Sequence, residues 1–212
     1  VKRFVNPTEV YSAPPWMESA DFSRDGRYLL LGGTRLLEVV DLQNGYQERP
    51  FFSGFNQRLS DVGFGNQNGV AFSPDTRYAV AGGDDKVARL FDFQSGKQVR
   101  VFSGHTDQVY SVAYSPDGRT IGTASADGTA RLWDTQTGQE VRRLMGSGAS
   151  MNGIKFSPDG RTVLTGSDDG TAQLWDVDYH DTMRYLCSRL QRDLTDQERA
   201  EYEIKDNAPT CG

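Results

Sequence analysis

The chain has 212 residues, a net charge of −6 and 23 glycines, with 36% hydrophobic and 25% charged residues. No apolar run approaches the roughly 18 residues that a membrane-spanning helix needs, and no signal-peptide pattern opens the chain. The acidic balance argues against a nucleic-acid partner held through its phosphates. Two cysteines, Cys187 and Cys211, are too few for a disulfide scaffold or a four-cysteine zinc site. These features predict a soluble, cytoplasmic protein, rich in turns, with no membrane or nucleic-acid partner.

A turn motif recurs four times along the chain. Its copies are residues 22–27, 72–77, 114–119 and 156–161. The common form, Ser-Pro-Asp-Gly, suits a type I turn, because proline presets φ, aspartate caps the backbone and glycine accepts a positive φ. The flanking residues alternate between apolar and polar, as in 109–114, which is the period of a β-strand. We therefore predict an all-β fold with a strand on each side of every turn.

The second half of the repeat also recurs. Asp-Gly turns at 127–128 and 169–170 precede alternating strands that end at Trp133-Asp134 and Trp175-Asp176, 42 residues apart. A glycine turn and a further strand at 140–144 follow the first tryptophan-aspartate pair. Four short antiparallel strands in each repeat predict the blades of a β-propeller.

These motifs resemble the WD-repeat β-propeller family over about residues 1–178. In that family, similar residues form a buried, hydrogen-bonded tetrad that joins the loop before a blade to its inner strands. The resemblance implies this structural role, and no catalytic one, for His105, Ser125, Asp127 and Trp133 in the third repeat, and for Ser167, Asp169 and Trp175 in the fourth. A buried indole N–H and a buried carboxylate need partners, which a histidine and a hydroxyl supply.

The other three repeats depart from the tetrad pattern, and the first is one residue shorter and ends at Val40-Asp41. The fourth has Ser147 where the histidine belongs. The second has Gly83, Asp85 and Phe91 at the serine, aspartate and tryptophan positions, so we expect no tetrad there. Stability of these blades is expected to come mainly from apolar packing between strands.

The repeats predict four blades, at about residues 10–52, 53–102, 103–144 and 145–178. Residues 1–5 align with the fourth strands at 99–102 and 141–144, so we expect them to be the last strand of a preceding blade. A four-blade arc exposes two flat apolar faces. We therefore expect the C-terminal part of a longer protein whose ring, as the resemblance implies, has seven blades. A partner chain or self-association of two copies is the alternative way to close the ring.

Residues 179–212 change period and predict a short helical tail. Met183, Leu186, Cys187 and Leu190 share one helix face, and residues 195–198 read as a capping box. The tail resembles one found in some bacterial multidomain WD-repeat proteins, in which the propeller follows a nucleotide-hydrolysing switch domain or a Ser/Thr protein kinase. Whether Cys187 and Cys211 pair, or the tail simply caps the propeller, stays open.

Motifs for chemistry are not evident in the sequence. There is no Gly-Lys-Ser or Gly-Lys-Thr phosphate loop, no His-Glu-x-x-His helix and no Gly-x-Ser-x-Gly elbow. The Asp-Asp pairs at 84–85 and 168–169 are explained by turns without a calcium ion. We expect a non-enzyme with no catalytic residue, cofactor or metal. A propeller enzyme whose site is shared with further blades is the alternative.

One position varies between repeats while its neighbours are repeated. It is occupied by Glu18, Asn68, Tyr110 and Asn152, at the start of each repeat's first strand. The resemblance places it near the rim around the central channel. We expect these residues and Trp16 to bind a protein partner, with the two aromatic side chains as anchors, although Trp16 could instead pack on the neighbouring prolines. The predicted function is a protein-interaction scaffold or sensing module. The alternative is the C-terminal regulatory or ligand-sensing domain of a bacterial signalling protein.

Overall fold

The computed structural model describes residues 17–33, 36–44, 47–50 and 67–177, together with residues 195 and 197. Within these residues, fifteen strands form four antiparallel sheets, and strands adjacent in the chain are adjacent in each sheet. The strands of the first two sheets are β1 (Met17–Phe22), β2 (Tyr28–Gly33), β3 (Leu36–Asp41), β4 (Gln47–Pro50), β5 (Gln67–Phe72), β6 (Tyr78–Gly83), β7 (Val87–Asp92) and β8 (Gln98–Ser103). Those of the last two are β9 (Val109–Tyr114), β10 (Thr120–Ser125), β11 (Thr129–Asp134), β12 (Glu140–Met145), β13 (Met151–Phe156), β14 (Thr162–Ser167) and β15 (Ala172–Asp176).

Each sheet is an up-and-down meander that corresponds to one sequence repeat. This confirms the predicted all-β fold of propeller blades. In the described part of the chain the fourth sheet has three strands, β13 to β15. The predicted strand at residues 1–5, Trp16 and the predicted helical tail with its two cysteines, except residues 195 and 197, fall outside the described residues. The predicted blade ends at residues 10, 52, 53 and 178 fall outside them as well.

The repeated turn joins the first and second strands of every blade. In each copy the serine hydroxyl donates to the aspartate two residues later at 2.6 Å and accepts the N–H of the residue five positions on at 2.8–3.0 Å. Gly26, Gly118 and Gly160 follow the aspartates with φ near +70°, and Thr76 occupies the same place with φ +57°. Three of the four turns therefore use glycine where the backbone requires it.

The first strands of neighbouring blades, β1, β5, β9 and β13, pack side by side. Backbone N–H groups of one blade bond to side chains of the blade before it: Phe72 N–H donates to the Asp21 carboxylate at 2.7 Å, and Val70 N–H to the Ser19 hydroxyl at 3.1 Å. Apolar side chains fill the space between the sheets, with Leu30 and Phe91 in the cluster that joins the first two blades. The inner strands thus form one continuous surface.

Among the described residues, nothing covers the outer apolar faces of the first and last blades. A leucine precedes the aromatic residue in the third strand of the last three blades; Leu90 and Leu132 are 3% and 1% exposed, whereas Leu174 is 74% exposed. At the other end, Phe22 is 61% exposed, whereas the equivalent Phe72 is 6% exposed. Leu90, Leu132 and Phe72 thus lie in clusters shared with a neighbouring blade, whereas no described blade covers Leu174 or Phe22.

Candidate interaction site

A buried hydrogen-bonded chain holds the loop before the third blade. His105 Nδ1 lies 2.8 Å from the Asp127 carboxylate, and its Nε2 lies 2.7 Å from the Thr123 hydroxyl. The Trp133 indole N–H donates to the same hydroxyl at 2.9 Å. Because the hydroxyl accepts from the indole, it is free to donate to Nε2, and Nδ1–H donates to the carboxylate. Every polar atom of this chain is satisfied when the imidazole is neutral.

The hydroxyl between the histidine and the tryptophan belongs to Thr123, and this corrects the assignment of that place to Ser125. Ser125 is also fully buried, but its hydroxyl donates to the Asp107 carbonyl at 3.1 Å and accepts the Asp127 N–H at 3.1 Å. The two residues point to the same face of β10, because side chains alternate along a strand. Ser125 therefore holds the loop, and Thr123 completes the tetrad.

Burial lowers the pKa of His105, and this outweighs the opposing hydrogen bond and charge of Asp127. Burial alone would raise the pKa of Asp127, but hydrogen bonds from the Thr129 hydroxyl, the Thr106 N–H and His105 lower it to about 2. The close contact between imidazole and carboxylate is thus a hydrogen bond of a neutral histidine.

The fourth blade keeps half of this arrangement. The Trp175 indole N–H donates to the Thr165 hydroxyl at 2.8 Å, so Thr165 repeats the role of Thr123. Asp169 accepts hydrogen bonds from the hydroxyls of Ser147 and Thr171. The Ser147 hydroxyl, followed by the hydroxyl and the N–H of Thr171, lowers the pKa of Asp169 to about 2. Ser147 thus hydrogen-bonds to Asp169 but, unlike the histidine of the third blade, does not connect the aspartate to the threonine and Trp175.

The second blade holds its loop aspartate in a different way. The two terminal guanidinium nitrogens of Arg89 donate to the Asp85 carboxylate, with the shorter contact at 2.5 Å. Arg131, at the equivalent place of the third blade, lies 3.7 Å from Asp127 and makes its shorter ion pair, 2.7 Å, with Glu140. The sequence indicated only a missing tetrad in the second blade, whereas the structure shows a bidentate ion pair in its place.

The variable position is a β-bulge in all four blades. In the pairing of the first two strands, Met17 and Ser19 face successive residues of β2, so the register skips Glu18 between them. The same irregularity leaves Asn68, Tyr110 and Asn152 unpaired in the next three blades. A bulge redirects the side chain of its extra residue. These four positions, at the starts of β1, β5, β9 and β13, are called the bulge rim below.

The tetrad determines where the third blade presents its bulge residue. The Thr106 N–H donates to Asp127 at 3.0 Å, and the Ala126 N–H donates to the Gln108 carbonyl at 2.9 Å. These bonds fix the chain two residues before Tyr110, whose side chain is half-buried. Asn152 is exposed and donates to Asp168 of the adjacent turn at 2.5 Å. The side chain of Asn68 lies outside the described residues.

In the described part of the chain, no three histidine, cysteine, aspartate or glutamate side chains are placed to hold a metal ion. Nor do those residues include a helix long and apolar enough to cross a membrane.

The sequence repeats and the blades agree with a known family. The WD40 family model, described as WD domain, G-beta repeat, matches residues 61–92, 96–134 and 138–176, which together make up more than half of the chain. The matches are consecutive, and each contains the third strand of one blade, β7, β11 or β15. The chain therefore belongs to the WD40 repeat family.

Proposed function

We propose that this chain is a non-catalytic protein-interaction module whose partner binds the bulge rim. WD40 repeats generally mediate protein–protein interactions, and their domains are typically non-catalytic. The observation that carries the proposal is the bulge itself: four blades present a differing side chain, Glu, Asn, Tyr or Asn, from one repeated backbone position. A rigid framework with one variable position suits recognition, because specificity changes without any change of fold.

Acidic side chains at this end of the blades favour a partner with a basic surface. The turns and loops next to the bulge rim carry the carboxylates of Asp84, Asp107 and Asp168, in addition to Glu18. Lys86 lies in the same region and donates to the Thr106 carbonyl at 2.8 Å. Tyr110 supplies an aromatic anchor among these groups. We expect a partner with lysine or arginine side chains around an apolar pocket for the tyrosine ring.

The experiment places a photo-crosslinking amino acid at position 110 and, as a control, at Val141, which is 51% exposed on the outer strand β12. A partner captured only from position 110 is then purified. Tyr110→Ala should weaken its binding by about tenfold or more, as expected for a hot-spot aromatic. Val141→Ala should leave the affinity unchanged. Equal capture from both positions, or equal affinities of the two variants, would contradict the proposal.

We further propose that the chain is part of a cytoplasmic, bacterial multidomain protein, in which the module regulates a kinase or a nucleotide-hydrolysing switch. The support is the resemblance of residues 179–212 to the tails of such proteins. The complete open reading frame tests this: it should encode further blades and an effector domain. A reading frame that encodes neither would contradict it.

A further inference from the structure

A cavity of about 340 Å³ opens at the end of the inner strands opposite the bulge rim. Its walls come from the last residues of β1, β5, β9 and β13 and from the turns that follow. The side chains that matter below are Asp21, Phe22, Arg24, Pro74, Lys155 and Phe156. Its volume is at the lower end of the range for small-molecule sites.

Most polar groups of the lining already have partners. The hydroxyls of Ser73 and Ser115 each donate to their turn aspartate and accept a backbone N–H. Asp21 accepts the Phe72 N–H at 2.7 Å. Arg24 and Lys155 are exposed, and in the part of the chain that the structure describes they have neither a hydrogen-bond nor an ion-pair partner. The groups that remain for a ligand are therefore these two cationic donors and Tyr114, which lines the cavity and whose buried hydroxyl has no hydrogen-bond partner among the described residues.

We propose that this cavity binds a small organic monocarboxylate with a flat apolar body. Two exposed cations in the lining favour a ligand that brings an anionic acceptor. The carboxylate of Asp21, with those of Asp75 and Asp117 on the turns of the lining, offsets the two cations, so a dianion such as phosphate fits less well than a monoanion. Phe22, which is 61% exposed, offers its aromatic ring to the flat apolar body of the ligand. Phe156 and Pro74 line the other walls.

The cavity is separate from the bulge rim. Glu18 and Phe22 mark the two ends on β1, and four residues of strand span about 13 Å at roughly 3.3 Å per residue. The proposal therefore does not rest on the protein-interaction function.

The test is isothermal titration of the 212-residue chain with phenylacetate, phenylacetamide and acetate at low salt. Phenylacetate should bind with a Kd on the order of millimolar, given its small size. The neutral amide lacks the charge and acetate lacks the ring, so each should bind at least about tenfold more weakly. Added salt should weaken phenylacetate binding, because both cations are exposed.

Variants test the two cations directly. Lys155→Gln and Arg24→Gln should each weaken phenylacetate binding by about five- to tenfold. Lys97→Gln and Arg161→Gln, at exposed cations outside the lining, should leave it unchanged. Circular dichroism should show all four variants folded, because each residue is exposed. Equal binding of phenylacetamide or of acetate, full binding in the Lys155 and Arg24 variants, or no binding of phenylacetate at tenfold the expected Kd would each overturn the proposal.

Discussion

Thr123 joins two buried rings that would otherwise each carry an unpaired nitrogen. Its hydroxyl accepts from Trp133 and donates to His105, and all three side chains are almost fully buried. A methyl group in place of this hydroxyl keeps the shape of the side chain but removes both bonds. The contribution of the tetrad to the free energy of unfolding thus depends strongly on the hydroxyl oxygen of Thr123.

Thr123→Val should therefore lower the free energy of unfolding by about 2–3 kcal/mol, because it leaves an indole N–H and an imidazole nitrogen buried without partners. Thr120→Val is the matched control, since Thr120 lies on the same strand and its hydroxyl makes no hydrogen bond among the described residues. It should change stability by less than about 0.5 kcal/mol. Urea unfolding measures both. Equal losses for the two variants would show that the hydroxyl of Thr123 is not specially placed.

The neutral state of His105 predicts the pH dependence of stability. Its pKa is lowered in the folded protein, so the unfolded chain binds the proton more tightly. Stability should be full above the ordinary histidine pKa of about 6.5 and should fall as the pH drops below it. Asp127, with its pKa lowered to about 2, adds a second loss as the pH falls from about 3.8 towards 2.

Urea unfolding at pH 8 and pH 5 tests the histidine contribution. His105→Gln should be less stable than the parent at pH 8 but should lose less stability between the two pH values. The second histidine, His180, is present in both proteins and cancels. A parent whose stability is flat between pH 8 and pH 5 would refute the assignment of a neutral imidazole.

The sequence led directly to three of the four residues of this chain. His105, Asp127 and Trp133 each have a distinctive chemistry, whereas the hydroxyl had two candidates on one strand face. Thr123 and Ser125 are separated by two residues, so periodicity cannot distinguish them. Only the positions of the rings reveal which hydroxyl lies between them. The ion pair of Asp85 and Arg89 was missed because it joins a turn to a strand, where no regular spacing predicts contact.

Within a blade, the turns are the elements that the sequence predicted best. The serine, aspartate and glycine of each copy act through local bonds, so their pattern is sufficient to specify the geometry. The second blade departs from this pattern at two turns, because Thr76 and Lys86 occupy places where other blades have glycine, with φ of +57° and +73°. A β-branched residue at positive φ is strained.

Thr76→Gly should raise the free energy of unfolding by about 0.5–1 kcal/mol, because relief of the strain outweighs the entropy cost of glycine. Gly118→Thr is the reciprocal change at the equivalent turn, where φ is +73° and an added Cβ would make only an ordinary van der Waals contact with Pro74 at 3.5 Å. It should destabilise the protein by about 1 kcal/mol or more. Thermal unfolding of both variants measures the two changes in stability. Stabilisation by Gly118→Thr, or destabilisation by Thr76→Gly, would contradict this account of the turns.

At the scale of the whole molecule, each blade is stabilised by its neighbours. The third blade has a blade on each side and a complete tetrad, whereas in the described part of the chain the fourth has a blade on one side and a partial tetrad. The bulge rim is also a property of the whole molecule, because it forms only where packing between blades brings together the starts of four inner strands. The repeat alignment identified its positions, but an alignment does not reveal a bulge, since the irregularity appears only in strand pairing.

Leu132 and Leu174 occupy equivalent positions, but Leu132 is buried and Leu174 is exposed. The same substitution at both therefore measures what coverage by a neighbouring blade contributes to stability. Leu132→Ala should cost about 2–5 kcal/mol, because it leaves a cavity in a buried cluster. Leu174→Ala should cost less than about 1 kcal/mol, because 74% of the residue is exposed. Urea unfolding measures both. A large loss for Leu174→Ala would mean that another part of the protein covers the last blade.

The most direct test of the interaction function is amide hydrogen exchange of the chain with and without the partner captured at position 110. Binding to the bulge rim should slow exchange at residues 108–111 and 150–153, at the starts of the third and fourth inner strands. Exchange at residues 98–103 and 140–145, in the outer strands, should be unchanged. Protection of the outer strands with none at the starts of the inner strands would contradict the account.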